Sequence, residues 1–168
     1  MSWFRDTGYA QLIEEIDKTE GSKPIAVIFN LGVNDLGNAG NYVSYMTSIA
    51  STLKSKNCKL FYMSVNPINS TMITKAGRGA RTEAQVREFN SKIRSGLSLD
   101  YKYIDMYSVL MKKGYGTNAS YNGTDADSDD GLHYTTKTFK RIYYYCITYL
   151  NTGSINASYY CLLYTSPS

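Results

Sequence analysis

The run Ile25-Ala26-Val27-Ile28-Phe29-Asn30-Leu31 constrains the fold of this chain most, because it is almost continuously apolar. A strand with one wet face alternates apolar and polar side chains; an unbroken apolar run bounded by turn residues marks a strand covered on both faces, as in a parallel sheet. Residues 59–65, Lys-Leu-Phe-Tyr-Met-Ser-Val, repeat the pattern and stop at Asn66-Pro67, and Tyr101 to Asp105 is a shorter third candidate. Between and around these lie segments with helical period. They are Leu12, Ile13 and Ile16; Tyr42, Tyr45, Met46, Ile49 and Leu53; Val86, Phe89, Ile93 and Leu97; and Phe139, Ile142, Tyr143, Cys146, Ile147 and Leu150. Each segment presents one apolar stripe. The third opens on Thr82-Glu83-Ala84-Gln85, a spacing that lets threonine and glutamine satisfy each other's free backbone amides. The last is predicted to start near Thr135 or Thr136, with a stop at Asn151-Thr152-Gly153. Alternating helices and strands predict an α/β fold with a parallel sheet between two helical layers and right-handed crossovers.

With 168 residues and 43% hydrophobic side chains, the chain suits one domain, over residues 1–153. The uncharged tail Ser154–Ser168 has no place in the alternation and reads as a floppy terminus or a non-native addition. A net charge of +4, scattered among acids, does not imply nucleic acid. The one local concentration, Lys75, Arg78 and Arg81, sits among glycines and reads as a solvated loop rather than an anion site. No run approaches the roughly 18 apolar residues of a membrane span. Cys58, Cys146 and Cys161 have neither disulfide-framework nor zinc spacing, and the first two read as core residues. The 17 tyrosines are spread through strands and helices, which favours packing over a sugar-stacking surface.

In an open parallel sheet, ligands meet loops at the carboxyl ends of the strands. Asn34 follows the first strand, Asn66 the second, and His133 the long loop after the third, so all three are predicted on one rim. Two short motifs stand there: Gly32-Val33-Asn34-Asp35 and Asp130-Gly131-Leu132-His133, the latter holding the only histidine. An aspartate three residues before a histidine, on a turn entering a helix, can accept a hydrogen bond from one imidazole nitrogen while the other faces the cleft. That arrangement orients a general base. The same pair also reads as a turn residue and a helix cap.

Taken together, the two motifs resemble signature blocks of the SGNH/GDSL hydrolases, small bacterial esterases, over about residues 3–150. The resemblance implies a three-layer α/β/α flavodoxin-like fold and an acyl or acetyl esterase using an acyl-serine intermediate, with no metal or organic cofactor. It implies that Asn34 donates its amide to the oxyanion and that Gly32 keeps the turn tight. Asp35 would brace the loop, Asp130 orient the histidine, and His133 act as base and acid. Trp3-Phe4 resembles the stretch just after the family's second block. The substrate would be a small-molecule or carbohydrate ester.

The family's nucleophile block, Gly-Asp-Ser, does not occur in this chain, and no serine lies in a GxSxG elbow. The expectation is therefore a polypeptide lacking the first two strands of the family fold, with nucleophile, second oxyanion donor and any signal peptide upstream of Met1. A secreted or surface location would suit that. The strand at Ile25–Leu31 would then present an open apolar edge, a route to self-association. Two other readings use the same rim: a non-catalytic flavodoxin-like binding module and a pseudoenzyme. A calcium loop over Asp125–Gly131 fails in register, because Asp130 falls where the loop needs glycine and Thr136 where it needs glutamate. The sequon-like triplets at Asn118 and Asn122 suit a surface loop.

Overall fold

A computed structural model describes residues 1–19, 21–112, 130–152 and 160–165. Its sheet is parallel throughout, with strands β1 (Ile25–Asn30), β2 (Cys58–Met63), β3 (Tyr101–Ile104) and β4 (Tyr160–Thr165) in the order β3-β2-β1-β4. The helices are α1 (Tyr9–Lys18), α2 (Ala39–Ser55), α3 (Ser70–Lys75), α4 (Glu83–Gly96), α5 (Met106–Lys112) and α6 (Thr136–Thr152), preceded by a π-helical turn at Phe4–Gly8.

The period of two along a strand divides the core into two layers. Ile25, Val27 and Phe29 of β1 and Leu60 and Tyr62 of β2 face Leu12 and Ile16 of α1, Tyr42, Met46 and Leu53 of α2, and Val86, Phe89 and Ile93 of α4. The alternate residues Ala26, Ile28, Phe61 and Met63 face Met106 and Leu110 of α5 and Ile142, Cys146 and Leu150 of α6. Both faces are covered, which is why β1 and β2 read as unbroken apolar runs. Cys58 and Cys146 are buried among these side chains. Several tyrosines belong to the same packing: the Tyr62 hydroxyl donates to Leu31 O at 2.8 Å, and that of Tyr101 to Met46 O at 2.7 Å. Thr82 and Gln85 form the reciprocal cap at the start of α4.

Three features depart from the sequence reading. Helix α3 has no counterpart in it, because six residues with a single buried side chain, Ile73, carry no readable period. It starts where the Asn69 side chain accepts the Met72 N–H at 3.0 Å. Helix α5, with Met106 and Leu110 buried, is equally short of signal. The third departure lies in the tail, where Tyr160-Cys-Leu-Leu-Tyr-Thr is strand β4 and pairs with β1 from Ile25↔Tyr160 to Asn30↔Thr165. The edge of β1 expected to stand open is thereby occupied, and self-association cannot use it without displacing β4. The physical reason is compositional: an uncharged run of aromatic and apolar residues suits a strand beside a buried neighbour.

The chain thus steps outward from β1 through β2 to β3, then returns by α5 and α6 on the other face to β4. The strand order reverses at β1, and the loop leaving its carboxyl end is where such a sheet opens a crevice. No helix among the described residues is long and apolar enough to cross a membrane.

Candidate functional site

The Asp130–His133 turn is built by its own aspartate. Oδ1 of Asp130 accepts the N–H groups of Leu132 at 2.9 Å and His133 at 2.8 Å, a side-chain mimic of a backbone turn. Gly131 takes φ +80°. Its carbonyl accepts the Asn69 N–H at 2.8 Å, and the buried Tyr134 hydroxyl donates to Pro67 O, so the turn is anchored to the loop between β2 and α3. Oδ2 is left for the imidazole, and His133 Nδ1 lies 2.6 Å away. Because an ionised carboxylate only accepts, Nδ1 carries the proton, and in the neutral ring the lone pair is then on Nε2. Among the described residues no hydrogen bond reaches Nε2 of this half-buried ring.

Burial disfavours ionisation of Asp130, but the His133 backbone and ring and the Leu132 N–H outweigh it and hold the carboxyl well below its usual range. A folded-state pKa below the unfolded value means stability that is present above the ordinary carboxyl range and lost as pH falls below that range toward the depressed folded-state value. Asp130→Asn should therefore cost about 1 to 3 kcal/mol at neutral pH. The gap from wild type should close in acid; urea unfolding at several pH values reads this, and a gap constant down to the acid limb would refute the linkage.

The Gly32–Asp35 loop leaves the end of β1. Gly32 is buried with φ +121°, and its carbonyl accepts the Asp35 N–H at 2.9 Å; the Asp35 carbonyl then accepts the Asn38 N–H at 2.8 Å. Asp35 Oδ2 accepts the Tyr42 hydroxyl at 2.8 Å and pairs with the Met1 amino group. Burial raises the Asp35 carboxyl pKa, but these two partners outweigh it and leave the group below its usual range. Burial and the same contact push the Tyr42 phenol well up. Asp35 is thus tied down inside the loop, while Asn34 beside it is exposed.

The two motifs are joined through residues that the sequence presented as a solvated loop. Arg81 donates from Nε to Val33 O at 3.1 Å, from Nη1 to Arg78 O at 2.5 Å, and from Nη2 to Asn34 Oδ1 at 3.2 Å. Arg78 Nε lies 3.2 Å from Asp130 Oδ2, the oxygen that His133 also touches. A continuous path therefore runs Asn34–Arg81–Arg78–Asp130–His133. Arginine has donors only, so the Asn34 atom facing Arg81 must be oxygen and the amide nitrogen must point away. Gly77 and Gly79, at φ +68° and +82°, turn the chain back so that both arginines reach the rim. That Gly-Arg-Gly pattern was the one available signal, and without the partners it does not distinguish a brace from a loop.

Asn34 lines two clefts. One, of about 270 Å³, also includes Arg78, Arg81 and Gln85; the other, of about 210 Å³, includes Trp3, Gly32, Asp35 and Tyr42. Asn66 does follow β2 but is buried, and among the described residues nothing pairs with its buried Oδ1. The acidic run Asp125–Asp129, most of the loop Lys112–Asp129 and both sequon-like triplets lie outside the described residues. No group of three or more metal-ligating side chains occurs among the described residues. No family model, curated protein or solved structure matches the chain.

Proposed function

We propose that this chain carries the base and oxyanion sides of an SGNH-type carboxylic ester hydrolase, whose chemistry is acyl transfer from a small-molecule or carbohydrate ester. The observation that carries the reading is the Asp130–His133 pair: Nδ1 held at 2.6 Å, Nε2 free among the described residues, and the pair linked to an exposed asparagine amide through two arginines. In this reading His133 Nε2 takes the proton of an attacking hydroxyl and returns it to the leaving oxygen. Asp130 keeps the ring in the productive tautomer, and Asn34 Nδ2 donates to the oxygen on which charge develops. Gly32 and Asp35 shape the loop that presents Asn34.

The chain has no Gly-Asp-Ser. Removal of one triad member typically leaves about 10³ to 10⁴ of acceleration, supplied by binding and the oxyanion hole. Each missing oxyanion donor removes roughly another 10² to 10³. Hydrolysis of aryl acetates by the purified chain with no added alcohol should therefore sit near background, and a clear hydrolytic rate lost on His133→Ala would overturn that expectation.

A small alcohol can stand in for the nucleophile. Its oxygen would add to the acetyl carbonyl as its proton passes to His133 Nε2; collapse would break the bond to the phenoxide oxygen, which takes the proton back from Nε2, and leave the alkyl acetate and the phenol. Acetyl transfer from an aryl acetate to trifluoroethanol should be accelerated several-fold. The acceleration should disappear in His133→Ala and weaken in Asn34→Ala. No acceleration, or one indifferent to both substitutions, would count against the ester-hydrolase reading and favour a binding module on the same rim.

A further inference from the structure

Arg78 stands outside both motifs, yet it contacts the same Asp130 oxygen as the candidate base, His133. We propose that Arg78 is a positioning residue of the site, holding Asp130 at the oxygen that His133 also contacts and balancing the carboxylate's charge so that the imidazole stays a proton acceptor rather than becoming a fixed ion-pair partner. The inference deepens the reading of His133 as a base and rests on it.

The geometry supporting it is specific. Asp130 Oδ1 is used by two backbone N–H groups, and Oδ2 is shared between His133 Nδ1 at 2.6 Å and Arg78 Nε at 3.2 Å. An aspartate facing a histidine alone favours the protonated ring, because each charge stabilises the other. A guanidinium on the same oxygen opposes that effect and stabilises the carboxylate without requiring the ring to be charged. The backbone carbonyl of Arg78 is itself held by Arg81 Nη1, whose guanidinium also grips Val33 O and Asn34 Oδ1, so the loop is pinned to the β1 end of the rim. The Arg78 side chain is 56% exposed, with the Asp130 contact its only ion pair among the described residues. Loss of its charge should therefore alter the site more than the fold.

Other titratable or charged groups lie on the elements around the turn: Lys75 at the end of α3, Tyr134 following His133, Arg81 in the loop between α3 and α4, and Lys140 and Arg141 in the first turns of α6. They are common to wild type and variants and cancel in a comparison between them.

His133 is the only histidine, so its ring protons give a single, unambiguous NMR titration. The shared oxygen places the Arg78 and His133 nitrogens no more than about 6 Å apart, and two unit charges at that distance in a mostly aqueous setting interact by enough to move a pKa about half a unit to one unit. Arg78→Gln should raise the His133 midpoint by that amount. Arg78→Lys, which keeps the charge, should recover at least half of the shift. Asp130→Asn should move the midpoint the other way. A midpoint unchanged or lowered in Arg78→Gln, or shifted as far in Arg78→Lys, would overturn the role of Arg78. The titration needs no turnover, whereas failure of His133-dependent acetyl transfer would sink the esterase reading and leave the titration result standing.

Discussion

Gly131→Ala should destabilise the domain by about 3 to 5 kcal/mol, a large share of the 5 to 15 kcal/mol typical of a single domain. Two costs combine. Gly131 has φ +80°, a backbone region where a side chain adds of order 1 to 3 kcal/mol of strain. A Cβ there would also lie 2.5 Å from Asn69 O, 2.8 Å from Met72 Cβ and 3.0 Å from Ile73 N. Two of these are backbone atoms of the capped start of α3, which cannot rotate aside, so either the turn must lift off or α3 must shift. Overpacking of this kind adds about 1 to 3 kcal/mol. Gly77→Ala is the internal control, because Gly77 also has positive φ, +68°, but nothing lies within 4 Å of its Cβ position. It should carry the strain cost alone. Urea unfolding of the two variants side by side separates the effects, and equal losses would show that the close approach of the turn to α3 is not energetically important. Lifting the turn would also pull Asp130 away from Arg78, so Gly131→Ala should perturb the His133 titration in the same samples.

How much of this was legible in the sequence depends on whether the signal is periodic or relational. The apolar runs of β1 and β2, the helical stripes and the Thr82/Gln85 cap are local patterns, and the three-layer α/β architecture follows from them. The strand ends moved by one or two residues, because apolar character continues past the last ladder bond: Leu31 and Val65 are buried but lie beyond β1 and β2. Polar residues whose role depends on a distant partner were not legible. Glu83 looks like an ordinary first-turn acid of α4, yet it is buried, its Oε2 accepting the Ile68 N–H at 3.2 Å while the Tyr107 hydroxyl donates to Oε1. Asn90 looks like the polar face of the same helix, yet it accepts from Val65 N at 2.8 Å and donates to Val65 O at 2.9 Å. Both pin the loop that follows β2. Arg78 and Arg81 belong to the same class: a charged Gly-rich loop is usually solvated, and only the fold brings it against Asn34 and Asp130. The spacing of the Asp130–His133 turn, by contrast, is local, so the pairing of its carboxylate and ring could be anticipated.

Gly32→Ala should be about as damaging as Gly131→Ala, by a different route. At φ +121° Gly32 lies in a backbone region that side chains rarely adopt, and a Cβ would sit 2.3 Å from Phe89 Cζ and 2.4 Å from Cε1. Here the obstacle is a ring rather than backbone, so relief is conceivable, but Phe89 is wholly buried and packs edge-on against Tyr42 at 5.3 Å between centroids. Moving the ring therefore disturbs the contact between α2 and α4 on which Tyr42, and through it Asp35, depends. A loss of about 3 to 5 kcal/mol is expected from strain plus overpacking. The two contributions part company in a double-mutant cycle. Phe89→Leu removes the atoms that the new Cβ would strike, so Gly32→Ala placed in that background should cost at least about 1 kcal/mol less than in wild type, since residues in contact couple by 0.5 to 3 kcal/mol. Additive losses would mean that the ring yields freely and that strain alone penalises the variant. Because Gly32 fixes how the loop leaves β1, the surviving fraction of folded Gly32→Ala should also show an altered environment for Asn34, read as a displaced side-chain amide resonance. An Asn34 amide left unmoved would separate the glycine's packing role from any role in presenting Asn34.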